Sequence, residues 1–364
     1  MKKKILYFMH VDWDWIKQRP HFLAEELAGD FNVVALYPRS VRRAHLVRNT
    51  SAVKRHGVVQ LPFARFAFIR QINDFIRTVY ALAFMVFWRP HFVWVTFPTL
   101  THPWIYRLIG NGHLVYDCMD DAAQFTTDSA VQARIMAGES ELLQQSAVVL
   151  ASSENLKSKV LHRGASPAKV HLIRNACSDR LARTQPLPFT AINSGPLRVA
   201  YVGTVADYID FATLIHCCDA DPLIELNFIG PVTTVAPAHR AFRYHGVVEH
   251  ARLGEAVAEY DCLIMPFVVN ELILGVDPVK LYEYISFNKP IICCRYPEIE
   301  RFSDFVDFYT TEAELKLVFN QLRVRRTQKY TEDQRMKLLA TNTWSCRRDE
   351  VIAALAGNDQ GHAA

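Results

Sequence analysis

The stretch DCLIMPFVVNELILGVDPVKLYEYISFNKPIICC, residues 261–294, decides the fold. It opens on an apolar run ending at Pro266, crosses a loop with Gly275, and turns helical near Pro278. Leu281, Tyr282 and Ile285 fall on one helix face, suited to packing on a sheet. Lys280 and Glu283, three apart, share another face. Asp277 suits the N-cap and Pro278 the first helical position. Asn288 suits the left-handed residue that ends a helix, and Pro290 opens a second apolar run. Two strands apolar on both faces, joined through a helix, make a parallel unit covered on both sides.

The same alternation runs outward. Behind this stretch, strands are predicted over 198–202, 223–229 and 241–245, with helices near 209–217 and 253–259. Further back, strands are predicted over 5–9, 32–36, 57–61, 92–96, 114–117, 147–151 and 170–173. Helices fall over 20–28, 69–88 and 129–145 and from Ser153. Between 178 and 196 the periodicity loosens around Pro186, Pro188, Gly195 and Pro196, which marks a linker. The fold class is therefore α/β. Two Rossmann-like, doubly wound domains are expected over 1–180 and 195–340, followed by a helical end over 341–364. A chain of 364 residues suits two domains. In each, the ligand crevice lies at the carboxyl ends of the strands.

Composition narrows the classes. Apolar residues make up 50% and charged residues 21%, ordinary globular usage, so disorder and coiled coil are excluded. None of the eight cysteines forms a Cys-x-x-Cys pair, and most lie in apolar runs. They read as buried thiols of a reducing, cytoplasmic compartment. The start, MKKKILYF, lacks a signal-peptide cleavage site, and the longest apolar stretch, 79–88, is too short to span a bilayer. No NTPase phosphate loop, dinucleotide fingerprint or zinc spacing is present; Gly110-Asn111-Gly112 lacks a third glycine.

The chemistry sits on the helix after Pro278. A helix amino end offers free N–H groups and a positive dipole to an anion. Lys280 in the first turn adds a charge for a pyrophosphate. Glu283, one turn deeper, can accept hydrogen bonds from both ribose hydroxyls. The pair describes a nucleoside-diphosphate site; the spacing alone also suits a solvated helix pair.

Pro278-Val279-Lys280-Leu281-Tyr282-Glu283-Tyr284, with Asn288-Lys289-Pro290-Ile291-Ile292, resembles the P-x-K-L-x-E-Y…G-K-P-V-V signature of GT-B glycosyltransferases, especially group-1 (family 4) bacterial polysaccharide enzymes. Arg198-Val199-Ala200-Tyr201-Val202-Gly203-Thr204 is similar to the first strand and turn of their donor domain. Tyr244-His245-Gly246-Val247 is similar to a later one, and Asn342-Thr343-Trp344-Ser345 to the start of the last helix, which crosses back to the first domain. The resemblance implies two domains facing a cleft and a nucleotide-sugar donor. It implies Glu283 on the ribose, Lys280 on the pyrophosphate, backbone approach at Gly203 and Thr204, and Val247 near the base. One departure stands out. Gly275 occupies the position, eight before Glu283, where the family usually carries a Glu that contacts the donor sugar. Configuration at the transferred carbon therefore stays open.

On the acceptor side, His10-Val11-Asp12-Trp13-Asp14-Trp15, leading to Arg19-Pro20-His21, should overhang the cleft. Trp13, Asp14, Trp15 and Arg19 are acceptor-binding candidates, because sugars stack on aromatic faces and hydrogen-bond to carboxylates. Asp12-Trp13-Asp14 imitates the Asp-x-Asp metal motif of GT-A transferases but follows the first strand, so no metal is expected. Asp120 and Asp121, at another strand end, are the first candidates for general base, with Asp12 second. The alternative for each is a helix cap or loop acid. Glu139 resembles a family-shared Glu.

The net charge of +4 is unevenly spread. Between Asp30 and Asp74 lie Arg39, Arg42, Arg43, Arg48, Lys54, Arg55, Arg65 and Arg70 and no acid. Followed by an aromatic helix, this suits an anionic lipid surface, each nearby charge contributing about 1 kcal/mol. A solvated basic face over a buried helix is the plainer alternative. The sequence thus predicts a metal-independent, cytoplasmic glycosyltransferase of bacterial polysaccharide synthesis, peripheral on the inner membrane face. It needs no cofactor beyond a nucleotide-diphosphate sugar as donor substrate, uses a lipid-linked saccharide acceptor and does not bind nucleic acid. The alternatives are a GT-B nucleotide-sugar epimerase and a non-catalytic GT-B binding module.

Overall fold

The structure, a computed structural model, describes residues 2–40, 51–63, 66–109, 112–183, 195–325 and 328–361. Arg42, Arg43, Arg48 and Arg65 of the basic stretch, Gly110-Asn111, and 184–194 of the expected linker lie outside them.

The chain forms two compact units. The first comprises Met1–Asn175, Gly275–Asp277 and Trp344–Ala364; the second comprises Ala176–Leu274 and Pro278–Thr343. The first is built on a parallel sheet of β1 (Lys4–Phe8), β2 (Asn32–Ser40), β3 (Lys54–Gln60), β4 (Phe92–Val95), β5 (Leu114–Cys118), β6 (Val148–Ala151) and β7 (Val170–Leu172), in the order β3-β2-β1-β4-β5-β6-β7. The second holds β8 (Leu197–Val202), β9 (Ile224–Ile229), β10 (Phe242–Gly246), β11 (Cys262–Met265), β12 (Ile291–Cys294) and β13 (Asp307–Tyr309), in the order β10-β9-β8-β11-β12-β13. Both sheets are parallel throughout and reverse direction of winding beside their first strand. The crevice for a ligand therefore lies outside the carboxyl ends of β1 and β4 in one sheet, and of β8 and β11 in the other.

The central strands β1, β4, β5, β6, β11 and β12 are nearly or wholly buried, which is why their sequences are apolar on both faces. Differences from the sequence expectation fall at the edges. β3 starts at Lys54, because an edge strand tolerates the exposed Lys54-Arg55-His56. β13 was not predicted; three residues with an aspartate carry no period. A short helix, Asp179–Arg183, stands at the start of the expected linker and is too short to show periodicity. The last helix, Trp344–Gly361, belongs to the first unit. Its Trp344 ring stacks on Phe22 at 5.1 Å, and Arg347 donates to the Asn175 carbonyl.

Candidate active site

The helix that carries Lys280 and Glu283 runs Val279–Ser286. It starts one residue later than predicted, with Pro278 at the cap position. Asp277 belongs to the first unit, where its carboxylate accepts the Asn175 N–H at 2.6 Å and Ser153 Oγ donates to the Gly275 carbonyl at 2.7 Å. Asn288 does end the helix in the left-handed region, at φ 55°.

Tyr284 shapes the crevice. Its hydroxyl accepts the Val202 N–H at 2.7 Å and lies 3.3 Å from the Ile264 carbonyl. β8 and β11 pair only at Cys262–Val199 and Leu263–Ala200, and the phenol takes over beyond that point. Gly203 follows at φ 146°, its N–H donating to the Ile229 carbonyl at 2.8 Å. A Cβ there would overlap Cε of Lys280, so the absence of a side chain lets the lysine stem pass directly over the strand end. The Lys280 ammonium lies 5.9 Å from the centre of the Tyr201 ring. Two phenols, Tyr201 at 2.9 Å and Tyr208 at 2.7 Å, donate to the Thr204 carbonyl and fix the turn. One turn deeper on the helix, the buried Glu283 carboxylate meets Nε2 of His250 at 2.6 Å. Val247 follows Gly246 at the end of β10, three residues before that histidine. The second unit thus gathers a cation, a helix amino end, a partly exposed turn and a held carboxylate at one switch point. Together they can bind a diphosphate and a diol.

The first unit treats its predicted residues differently. Trp13 has no exposed surface; its ring packs on His21 at 5.1 Å and near Tyr37, so it offers no face to a sugar. Arg19 is likewise interior. Its Nη2 and Nε donate to the Asp117 carboxylate at 2.9 and 3.0 Å, and Nη1 donates to Asn175 Oδ1 at 3.1 Å. Asp12 is buried, and its Oδ1 accepts the Asp14 N–H in a local turn. Asp14 and Trp15 are partly exposed, with Arg55 3.8 Å from Asp14. Asp121 is buried between Lys159 at 3.0 Å and Arg163 at 3.0 Å. Burial alone would push its carboxyl up, but the two cations outweigh it and hold the pKa below the usual range. A base needs the opposite shift, so Asp121 is unsuited to the role. Glu139 accepts from the Tyr116 hydroxyl and pairs with the same Arg163. Asp120 is partly exposed. Among the described residues no group of three His, Cys, Asp or Glu side chains could hold a metal ion.

No family model matches the chain and no curated protein matches it. Solved structures do. Sucrose-phosphate synthase (tll1590) from Thermosynechococcus elongatus aligns over 100% of both chains with a TM-score of 0.74 at 12% identity. Anabaena Alr3699/HepE in complex with UDP-glucose aligns over 97% of this chain and 99% of its own, with a TM-score of 0.68 at 10% identity. The lipopolysaccharide outer core galactosyltransferase WaaB aligns over 97% and 99%, with a TM-score of 0.62 at 12% identity.

The chain has the GT-B fold. Within this GT-B chain three further residues bear on the geometry of the strand ends. His250 lies on a short turn outside any motif, and only its contact with Glu283 singles it out. Tyr284 lies inside the motif, whose spacing assigns its hydroxyl no task. His10 follows β1 at the switch point of the first sheet, with Nδ1 2.9 Å from Thr96 Oγ1. Burial pushes its imidazole down to about 4, so it is neutral near pH 7. The signal for it was its place as the first polar residue after the apolar run of β1.

Proposed function

We propose that the chain is a glycosyltransferase that takes a sugar from a nucleoside-diphosphate donor bound by the second unit and passes it to a saccharide acceptor bound by the first. The observation that carries this reading is the close passage of Lys280 over Gly203, with Glu283 one helical turn deeper. The lysine and the helix amino end balance the charge growing on the leaving diphosphate, and Glu283 holds the ribose. The Anabaena neighbour solved with UDP and with UDP-glucose supports a uridine donor. WaaB, a lipopolysaccharide outer core galactosyltransferase, supports a lipid-linked acceptor in bacterial polysaccharide synthesis.

Calorimetric titration with UDP, GDP and ADP tests the donor half. UDP should bind best. Lys280→Ala should weaken binding roughly 10- to 100-fold, about 1.4–2.7 kcal/mol, and Glu283→Ala roughly tenfold. Unchanged affinity in both variants would remove the donor assignment. An NMR assay of UDP-glucose alone then separates transfer from epimerisation, since an epimerase converts the donor with no acceptor present.

For the acceptor half, the partly exposed Asp120 at the end of β5 is the candidate for general base. Asp120→Asn should lower kcat by about 10²–10⁴. Asp121→Asn should leave kcat unchanged and lower the unfolding midpoint, because it strips Lys159 and Arg163 of their shared partner. Full activity in Asp120→Asn would remove it as the base.

A further inference from the structure

The helix of the first unit that runs Ala67–Ala83 and continues as a π turn over Phe84–Trp88 is built inside out in its amino-terminal part. There its inward face is polar, whereas toward the carboxyl end Ala81, Leu82, Phe84, Met85 and Trp88 pack on the core. Asn73 is buried, with Oδ1 accepting the Leu61 N–H at 2.8 Å and Nδ2 donating to the Leu61 carbonyl at 3.1 Å. Arg77 Nε donates to the Leu100 carbonyl at 3.0 Å, and Thr78 and Ala81 are buried beside it. The outward face is apolar. Phe68, Phe75, Val79 and Val86 recur at helical spacing and are all exposed, Phe75 to 68%; Tyr80 and Phe87, the latter to 87%, widen the stripe. Phe63 and Phe66 extend it beyond the amino end. Scattered exposed hydrophobics need no explanation, but a continuous stripe on a helix whose polar side faces the protein does.

Charge identifies what covers it. Between Asp30 and Asp117 the sequence holds eleven Lys and Arg and a single acid, Asp74. Asp74 is taken up by Arg77 and Arg134. Exposed Lys54, Arg55 and His56 line the neighbouring edge strand β3, Arg70 stands in the first turn, and Arg89 follows the last. Lys4 donates to the Trp88 carbonyl at 2.8 Å, adding a cation at the carboxyl end. The helical stretch, 17 residues and then 5, is roughly 33 Å long at about 1.5 Å per residue. Among the described residues no helix is long and apolar enough to cross a membrane. An aromatic ridge with a basic rim, where Asp14 is the acid beside Arg55, matches an interfacial helix, which lies in the headgroup layer.

We infer that this face docks the protein on an anionic lipid bilayer, with Phe68, Phe75 and Phe87 entering the acyl boundary and the rim cations meeting phosphate headgroups. The inference deepens the proposed lipid-linked acceptor, and its test stands apart from that reading. The probe is co-sedimentation with phosphatidylcholine vesicles containing about one third phosphatidylglycerol, at low salt, without nucleotide. The wild-type protein should bind these vesicles, bind pure phosphatidylcholine weakly, and lose affinity as salt rises. Phe75→Glu/Phe87→Glu should reduce partitioning at least roughly tenfold. Leu317→Glu/Val324→Glu, the same charge change at exposed positions of the second unit, should bind as the wild type does.

Because the replaced side chains are exposed, both variants should keep their circular dichroism and their UDP affinity. Equal vesicle binding by wild type and Phe75→Glu/Phe87→Glu would overturn the docking face. So would a wild type that ignores anionic vesicles while binding UDP. A wild-type dimer in light scattering that Phe75→Glu/Phe87→Glu dissociates, with no vesicle binding, would assign the ridge to a second copy of the chain.

Discussion

Arg19→Met should destabilise the first unit by about 3–5 kcal/mol, the cost of stripping a buried charge of its partner. Asp117 has no exposed surface and its carboxylate accepts from two guanidinium nitrogens, so removing Arg19 leaves an anion with neither water nor cation. Asn175 Oδ1 and the Arg174 carbonyl lose a donor in the same step. The Arg19→Met/Asp117→Leu pair should recover much of the loss, since an apolar pair of similar size restores packing without the uncompensated charge. Urea unfolding followed by circular dichroism reads both values. UDP binding in Arg19→Met, measured where the protein is still folded, should match the wild type. A loss under 1 kcal/mol, coupled to a large loss of acceptor affinity, would restore Arg19 to the acceptor site.

That pair also explains what could be read in advance. The strands were legible because a strand buried on both faces must be apolar along its whole length, as in Val148–Ala151 and Ile291–Cys294. The grouping of Gly203, Lys280 and Glu283 was legible because it follows from local geometry: a strand end, a first helical turn, and one turn more. Arg19 and Trp13 sit on the same kind of strand-to-helix loop, yet their partners come from afar. Asp117 is 98 residues from Arg19, and no spacing rule reports that distance. The same holds for Asp121, whose two cations lie 38 and 42 residues on. The helix after Phe66 was placed nearly to the residue, and its aromatic run suited either a lipid surface or a buried face. The bonds from Asn73 to Leu61 turn the polar stripe inward. Acidic and indole-rich loops invite a functional reading. In this first unit, burial assigned Trp13, Arg19 and Asp121 to its own stability.

Gly203→Ala and Gly230→Ala should part company, although both glycines sit at strand ends with nearly the same backbone, φ 146° and 148°. Either substitution forces an L side chain into a region that costs roughly 1–3 kcal/mol. What each new methyl would meet is different. At Gly203 it overlaps Cε of Lys280, the far end of a flexible stem that can swing away. At Gly230 it overlaps the Gly203 carbonyl oxygen, which belongs to the strand end and cannot yield without breaking the turn. Gly203→Ala should therefore fold, lose a few degrees of melting temperature, and bind UDP roughly tenfold or more weakly because the cation is displaced. Gly230→Ala should lose much more stability, with a melting temperature too low for a useful titration or no folded protein at all. Calorimetry on Gly203→Ala/Lys280→Ala closes the argument as a double-mutant cycle. If Gly203 acts by giving the lysine its path, the double variant binds UDP no more weakly than Lys280→Ala alone. Fully additive losses would mean that the Gly203 backbone meets the ligand by itself, and the lysine would then be a neighbour of the phosphate site with a separate share in it.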